Sequence, residues 1–479
     1  MRSRRDQVQA YFFVVGRLMS ALMRGRPDEP ATPARRFVAN AVVGCLVAAL
    51  VVVVFGVIGV VSPGANRSWQ EPGAVIVEKE TGAKYVYLAD KLRPVLNFAS
   101  ARLLVNSAQG TVVSVSAKSL QDAPRGLPLG IPDAPDSLPG ADALSSAPWY
   151  VCADTMHDES NTPWPVTDVQ VRDLGGTPID EDHGLLVSTP DSVTYLVWHG
   201  SRFRIQSRAV LDALGYDAVR PLPVAPSWVQ ALPSGPDLAA PDVQGLGGTG
   251  PAVKGVPGRI GQVYEVQNSV VGADRYYLLL SDGLAPLTRT RAALLLSDPD
   301  LAAAYPGGRP AALPVDGGAV ASLPRSTQLR AAPDLPDDPP EITPVDRDAR
   351  QVPCARFRVG SGDDVPTELV MVSRDQARVS GVVRSTELRG ALAYRVGVPS
   401  STGVLARELA APRAPGGAQY VITDQGVKYP LSSDEVAGVL GYAGVPAVPV
   451  PAELLALLPT GPALDPSAAA QEHPGGPAS

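Results

Sequence analysis

From Phe37 to Val61 the chain runs for 25 residues without one Asp, Glu, Lys, Arg or His. A bilayer hydrocarbon core about 30 Å thick is crossed by roughly 20 apolar residues of helix. The run exceeds that length with Asn40 as its one plainly polar interruption, so a transmembrane helix with some tilt is predicted. Arg2, Arg4, Arg5, Arg17, Arg24, Arg26, Arg35 and Arg36 precede it against Asp6, Asp28 and Glu29. The excess of positive charge places the N-terminus in the cytoplasm. A cleaved secretory signal fits less well: the basic region is too long, the apolar region exceeds an h-region, and Val61-Ser62-Pro63-Gly64 is not an A-x-A-like site. A soluble core helix fits poorly too, because the run is apolar on every face.

The span leaves a large acidic body. Of 479 residues with a net charge of −7, those from Phe37 onward hold 33 basic against 45 acidic groups. Such a surface repels a phosphate backbone and excludes nucleic acid as a partner. About 400 residues follow the span, enough for two to four domains. The 49 prolines and 46 glycines predict short elements joined by many turns. Aromatic residues make up 5%, so the cores must rest on Val, Leu and Ala.

Cys45 lies inside the span, where a small apolar side chain needs no special role. Cys152 and Cys354, 202 residues apart, both fall outside the cytoplasm. Two thiols in an oxidising compartment are expected to pair, the alternative being two free buried cysteines.

The body repeats itself. Tyr195 to Gly200, Ala213 to Tyr216 and Ala231 to Pro236 match Val421 to Gly426, Val439 to Tyr442 and Leu457 to Pro462 at a constant offset of 226. Gly200/Gly426, Gly215/Gly441, Tyr216/Tyr442, Pro233/Pro459, Gly235/Gly461 and Pro236/Pro462 coincide without a gap. A weaker pair at an offset of 192 aligns Tyr85–Pro94 with Tyr277–Pro286. Each unit reads as strand, glycine turn and helix. Ser432 and Glu435 form a capping-box pattern, with Gly441 as the C-cap. Thr111 to Lys118 and Leu369 to Arg384 are strand-like and belong to no unit, so the two segments that carry the cysteines are expected to build a central β domain. Linkers are expected at 121–148, 234–258 and 332–346.

The chain resembles the EccB-type membrane subunit of the actinobacterial type VII (ESX) secretion system. The marks are Gln9-Ala10-Tyr11 in a basic helix, the single span, Trp69 ahead of Gly73, Tyr85-Val86, and the run Leu92-Arg93-Pro94-Val95-Leu96-Asn97-Phe98-Ala99-Ser100-Ala101-Arg102-Leu103. From that run Leu92, Pro94, Leu96, Asn97, Ser100, Ala101 and Arg102 are the motif positions. The resemblance covers the chain to Leu464 and departs from the family pattern in the Pro-Asp segment 121–148. It implies a core structural component of the secretion membrane complex, single-pass, N-terminus cytoplasmic, body extracytoplasmic. It further implies homo- and hetero-oligomers with other membrane subunits, including the cytoplasmic-side ATPase, and four repeats around a central β domain held by one disulfide. The repeat fold of the family is similar to a phage-lysin wall-binding unit, which implies peptidoglycan contact.

The fold class expected is α+β: one transmembrane helix, then an elongated extracytoplasmic region of four small strand-turn-helix repeats around a central β-rich domain. The boundaries are 1–36 cytoplasmic segment, 37–61 span, 70–110 repeat 1, 111–190 first segment of the central domain, 191–240 repeat 2, 255–305 repeat 3, 345–410 second segment of the central domain, 415–464 repeat 4 and 465–479 disordered tail.

Members of that family are sometimes labelled ATPases, yet no P-loop is present, since the dipeptide Gly-Lys never occurs. Gly245-Leu246-Gly247-Gly248-Thr249-Gly250 has the letters G-x-G-x-x-G, but Pro251 and Pro257 stand where a phosphate-capping helix would run. Leu278–Asp282 and Leu294–Asp298 both read Leu-Leu-Leu-Ser-Asp, better explained as apolar elements ending at turns than as Walker B strands. Asp180-Glu181-Asp182-His183 matches no defined metal spacing and reads as a solvated loop. His157, His199 and His473 form no constellation, and no G-x-S-x-G occurs. No catalytic, cofactor or metal residue is assigned; ATP would enter only with the family's ATPase label, and a wall-binding module is the other alternative.

Overall fold

The computed structural model describes residues 4–24, 33–61, 68–71, 73–106, 110–267, 274–329, 335–346, 349–360, 362, 364–378, 392–411, 413–414 and 416–474. The chain divides into two units, one of Met1–Leu92 with Val112–Gly126, the other of Arg93–Thr111 with Leu127–Ser479.

The first unit contains helices Arg4–Arg24 and Pro33–Val61. At 1.5 Å per residue the second, 29 residues long, measures about 44 Å, which exceeds a hydrocarbon core. It is the one described helix long and apolar enough to cross a membrane. The unit's sheet has the strand order Lys91–Pro94, Lys84–Leu88, Ala74–Glu78, Thr111–Val115. Alternation in these strands buries Ile76, Tyr85, Leu92 and Val115 with Trp69 and Leu120 as one apolar cluster.

That strand order recurs three times in the second unit. The sheets are Ser201–Ile205, Thr194–Trp198, His183–Ser188, Leu222–Pro223; then Gly283–Leu287, Arg275–Leu280, Val263–Val266, Leu313–Val315; then Lys428–Pro430, Gln419–Ile422, Val404–Leu409, Val448–Pro451. In each the last of these strands lies parallel to its neighbour and the first three are antiparallel, and the first of these sheets gains a further parallel strand, Glu341–Ile342, beside His183–Ser188. A strand pair in parallel needs a crossover, and the short helix of each unit supplies it.

Equivalent residues at the 226 offset make equivalent bonds. The Arg202 amide donates to the Pro233 carbonyl and the Gly235 amide to the Arg202 carbonyl, both at 2.9 Å. Correspondingly, Lys428 donates to Pro459 at 3.0 Å and Gly461 to Lys428 at 2.9 Å. The Arg202 guanidinium reaches the Val229 carbonyl, as the Lys428 ammonium reaches that of Leu455. Tyr216 and Tyr442 donate their phenols to the carbonyls of Pro340 and Pro139, at 2.8 and 3.0 Å. A Cβ on Gly235 would lie 2.3 Å from Phe203 Cε1, and one on Gly461 would lie 2.3 Å from Tyr429 Cε1. Gly461→Ala is therefore expected to destabilise the protein by about 1–3 kcal/mol through overpacking, read as a lower urea midpoint. A shift worth less than about 0.5 kcal/mol, the level of a surface substitution, would contradict the close packing.

The second unit also contains a six-stranded sheet, in order Arg395–Gly397, Pro163–Val171, Trp149–His157, Gln351–Phe357, Thr367–Ser373, Thr177–Pro178. Period-two alternation gives it two faces. Trp149, Val151, Ala355 and Phe357 pack in the cluster with Trp228, Val229, Leu454 and Leu455, from the matching helices Pro226–Ala231 and Ala452–Ala456. Tyr150, Cys152, Val352, Cys354, Val370 and Val372 form the cluster of the opposite face.

Several expectations need correction. Thr111–Val115 is the edge of the first sheet, not part of the central domain, while His183–Ser188 and Val404–Leu409 open the second and fourth repeating sheets. Their partners lie outside the recognised repeat, so local pattern does not reveal the pairing. Segment 121–148 is no plain linker: within the first unit Arg125 bridges Leu92, and within the second Leu129 bridges Val95 and Leu144 bridges Gly403. Likewise Thr249–Val253 and Val256–Arg259 form a hairpin that occupies the end of 234–258 and runs one residue past it, and Glu341–Ile342 pairs with His183–Gly184, residues 332–334 lying outside the described set. Leu369 to Arg384 is not one strand; it turns into helix Arg374–Ala377, and 379–384 lie outside the described residues. The tail is ordered to Pro474: Pro466–Ala469 is helical, Ala469 is buried, Glu472 pairs with Arg93, and His473 Nε2 lies 2.7 Å from the Gly130 carbonyl. Residues 475–479 are outside the described residues. Finally, the N-cap of Asp434–Ala437 is Ser433 rather than Ser432, whose amide is already held by the Leu464 carbonyl.

Candidate functional site

The motif run is a docking element built from caps and small residues. Leu92 is fully buried in the first unit. In the second unit, strand geometry continues to Pro94, and the Leu96 amide donates to the Leu129 carbonyl at 3.0 Å. Asn97 then adopts an extended backbone as N-cap, and its Oδ1 accepts from the Ser100 amide at 3.0 Å. Its Nδ2 donates to the Ile131 carbonyl at 2.7 Å, while Ser100 Oγ accepts from the Ile131 amide at 2.8 Å. Two side chains thus satisfy both backbone groups of one residue, 34 and 31 positions later in the chain. Ala101 is fully buried, so the helix Phe98–Val105 can approach closely. Arg102 donates to the Gly110 carbonyl at 2.7 Å, and Asn106 ends the helix at φ 47°. Ala99 and Leu103 enter one core with Leu405, Val436, Leu440, Tyr442, Leu464 and Ala469. The motif therefore joins the C-terminal sheet, more than 300 residues away in sequence.

Cys152 and Cys354 are bridged. They stand directly opposite in antiparallel register, with Cα atoms 4.0 Å apart and no exposed surface. Beside them on the same face lies an ionic cluster that the sequence reading missed. Cys152 faces Asp168 on the next strand, and Arg395 grips that carboxylate through Nε at 2.9 Å and Nη2 at 2.6 Å. Asp154 is contacted by Arg378 at 2.8 Å, Arg374 at 3.4 Å and Arg395 at 3.5 Å. Burial pushes the Asp168 carboxyl up to about 6 despite the opposing pull of Arg395. The signal available in sequence was Asp154, Asp168 and Arg395 at regularly inward positions of apolar strands.

The remaining candidates do not converge on chemistry. Gly247 and Gly248 lead into a hairpin, with Ile260 bonded to both, so the G-x-G-x-x-G letters face no helix N-terminus. Leu278–Leu280 end a strand at the Gly283 turn, whereas Leu294–Leu296 end a helix and Asp298 caps the next turn. Asp180, Asp182 and His183 offer ligand atoms within 4.8 Å of one another. His183 Nδ1 sits 2.8 Å from Asp182 and Nε2 3.5 Å from Glu341, which raises the pKa of the imidazole. His199 stacks on Trp198 at 3.8 Å and its Nε2 lies 3.0 Å from the Glu181 carbonyl. His157 is exposed at the end of strand Trp149–His157.

Comparison with known proteins places this architecture. The family described as "Type VII secretion system ESX-1, transport TM domain B" matches residues 2–478. The "ESX-3 secretion system ATPase EccB3" of Mycolicibacterium smegmatis is 30% identical over 486 residues, covering 96% of this chain and 89% of the relative. A chain of the "intact ESX-5 inner membrane complex" superposes with a TM-score of 0.67 at 26% identity, covering 100% of this chain and 97% of that one. The "EccB3 dimer from the ESX-3 core complex" gives a TM-score of 0.66 at 29% identity, covering 83% of this chain and 100% of that one. With a family match over nearly its full length and a fold shared with chains of such complexes, the chain belongs to the EccB family of type VII secretion membrane proteins.

Proposed function

We propose that this chain is a single-pass scaffold subunit of a type VII secretion membrane complex, with its N-terminus cytoplasmic and its body beyond the membrane. The observation that carries the reading is the likeness, over its whole length, to a chain of the ESX-5 inner membrane complex. The four sheets of common strand order are read as four copies of one small α/β motif around the bridged central sheet. The buried motif, bridge and ion cluster suit a body that keeps its shape under load. Its partners would be a second copy of itself and the other membrane subunits, including the ATPase on the cytoplasmic side. Blue-native electrophoresis of detergent extracts should show the chain in a high-mass species with other membrane proteins; a solitary monomer would refute the proposal.

A second reading is an ATPase, favoured by the name that the M. smegmatis relative carries. The full-length chain in detergent should then hydrolyse nucleotide in a way abolished by a point substitution in this chain. On the scaffold reading, activity instead disappears with purification.

A further inference from the structure

We propose that helix Arg4–Arg24 lies on the membrane surface next to the span and binds anionic lipid headgroups. Tyr11, Phe12, Val15, Leu18, Met19 and Leu22 recur at spacings of one, three and four residues. At 3.6 residues per turn they share one face. All are exposed, from 40% at Val15 to 76% at Leu22, and no described residue covers them. Gln9, Gly16 and Arg17 occupy the opposite side. Phe13 falls outside the apolar arc, and there the Arg17 guanidinium stands 6.0 Å over its ring.

Charge and tether select the occupant. The helix has arginines at 4, 5, 17 and 24 against Asp6 alone, an excess that suits phosphate-bearing headgroups. Residues 25–32 are all that separate it from the helix Pro33–Val61. Eight residues reach at most about 30 Å, so the C-terminal end of the basic helix cannot leave the neighbourhood of the bilayer surface. A broad apolar arc, with Arg5 at its edge and Arg17 and Arg24 on the opposite side, matches an interfacial helix, which inserts one face into the headgroup and acyl boundary. This holds whichever side of the membrane the N-terminus occupies.

The test uses the full chain carrying Cys45→Ala, with Cys152 and Cys354 bridged, and a single nitroxide-labelled cysteine at position 12, 15, 19, 9 or 16. It is reconstituted without other subunits into vesicles of phosphatidylcholine, alone or mixed with phosphatidylglycerol. In the anionic vesicles, labels at 12, 15 and 19 should collide with oxygen and be shielded from a water-soluble nickel chelate, with the reverse at 9 and 16. Arg5→Gln and Arg17→Gln should each weaken the surface-bound state by about fivefold. Aqueous exposure at every position in both vesicles would overturn the proposal. Shielding that brings spin–spin broadening and follows protein density rather than lipid charge would overturn it in favour of a second copy, and shielding that needs added subunits in favour of a protein groove.

Discussion

Replacing Cys152 and Cys354 together by alanine should lower the unfolding free energy by about 5 kcal/mol, the largest effect expected of any substitution in the body. The bridge closes a loop of 202 residues, and chain entropy scales with the logarithm of that length. Both sulfurs are fully buried, so the loss in packing adds to the loss of the constraint. Urea unfolding of the full-length protein in detergent measures this directly. A reduction below about 1 kcal/mol would mean that the strands Trp149–His157 and Gln351–Phe357 hold each other without the bond. Thiol labelling gives an independent check: Cys152 and Cys354 should resist labelling in the native, unreduced protein, and both should react after reduction in denaturant.

Arg395→Met should cost about 3–5 kcal/mol, because it strands the buried carboxylate of Asp168, whereas Asp154 keeps Arg378 and Arg374. Adding Asp168→Asn should recover part of the loss by removing the uncompensated charge. A pH dependence accompanies this. Asp168 has a folded pKa of about 6, above its ordinary value of 3.8, so between those values the folded state holds more protons than the unfolded one. Stability from this group is therefore greatest below about pH 4 and falls as pH rises toward about 6. In Arg395→Met the opposing pull is gone, so the window extends upward, and the deficit should shrink as the medium is acidified from pH 8 to pH 5. A deficit independent of pH across that range would show that the arginine acts through packing alone.

Different regions of the molecule were legible to different degrees. The span was plain because 25 uncharged residues are a local fact. Gly200 and Gly426 read as turns and Gly441 as a helix end, and all three adopt positive φ. Gly235 and Gly461 carried a different message, close approach to an aromatic ring, that only the folded chain explains. The first strand of each sheet is not legible in the sequence because Ala74–Glu78, His183–Ser188, Val263–Val266 and Val404–Leu409 share no common motif, only burial. The segments read as linkers were rich in proline, which removes amide donors but leaves carbonyls free to accept: Pro124, Pro128, Pro135, Pro139 and Pro340 all do so.

By itself the sequence determined the membrane helix, the glycine turns, the matching halves at the 226 offset and the candidate cysteine pair, all of which follow from local composition and self-similarity. Tertiary structure alone decided which strands lie side by side, that helix Phe98–Val105 shares a core with residues 405–469, and that Asp154 and Asp168 meet Arg378 and Arg395. The reason is physical. Periodicity reports which face of an element is apolar, whereas the partner of that face is set by burial and charge compensation between residues hundreds of positions apart.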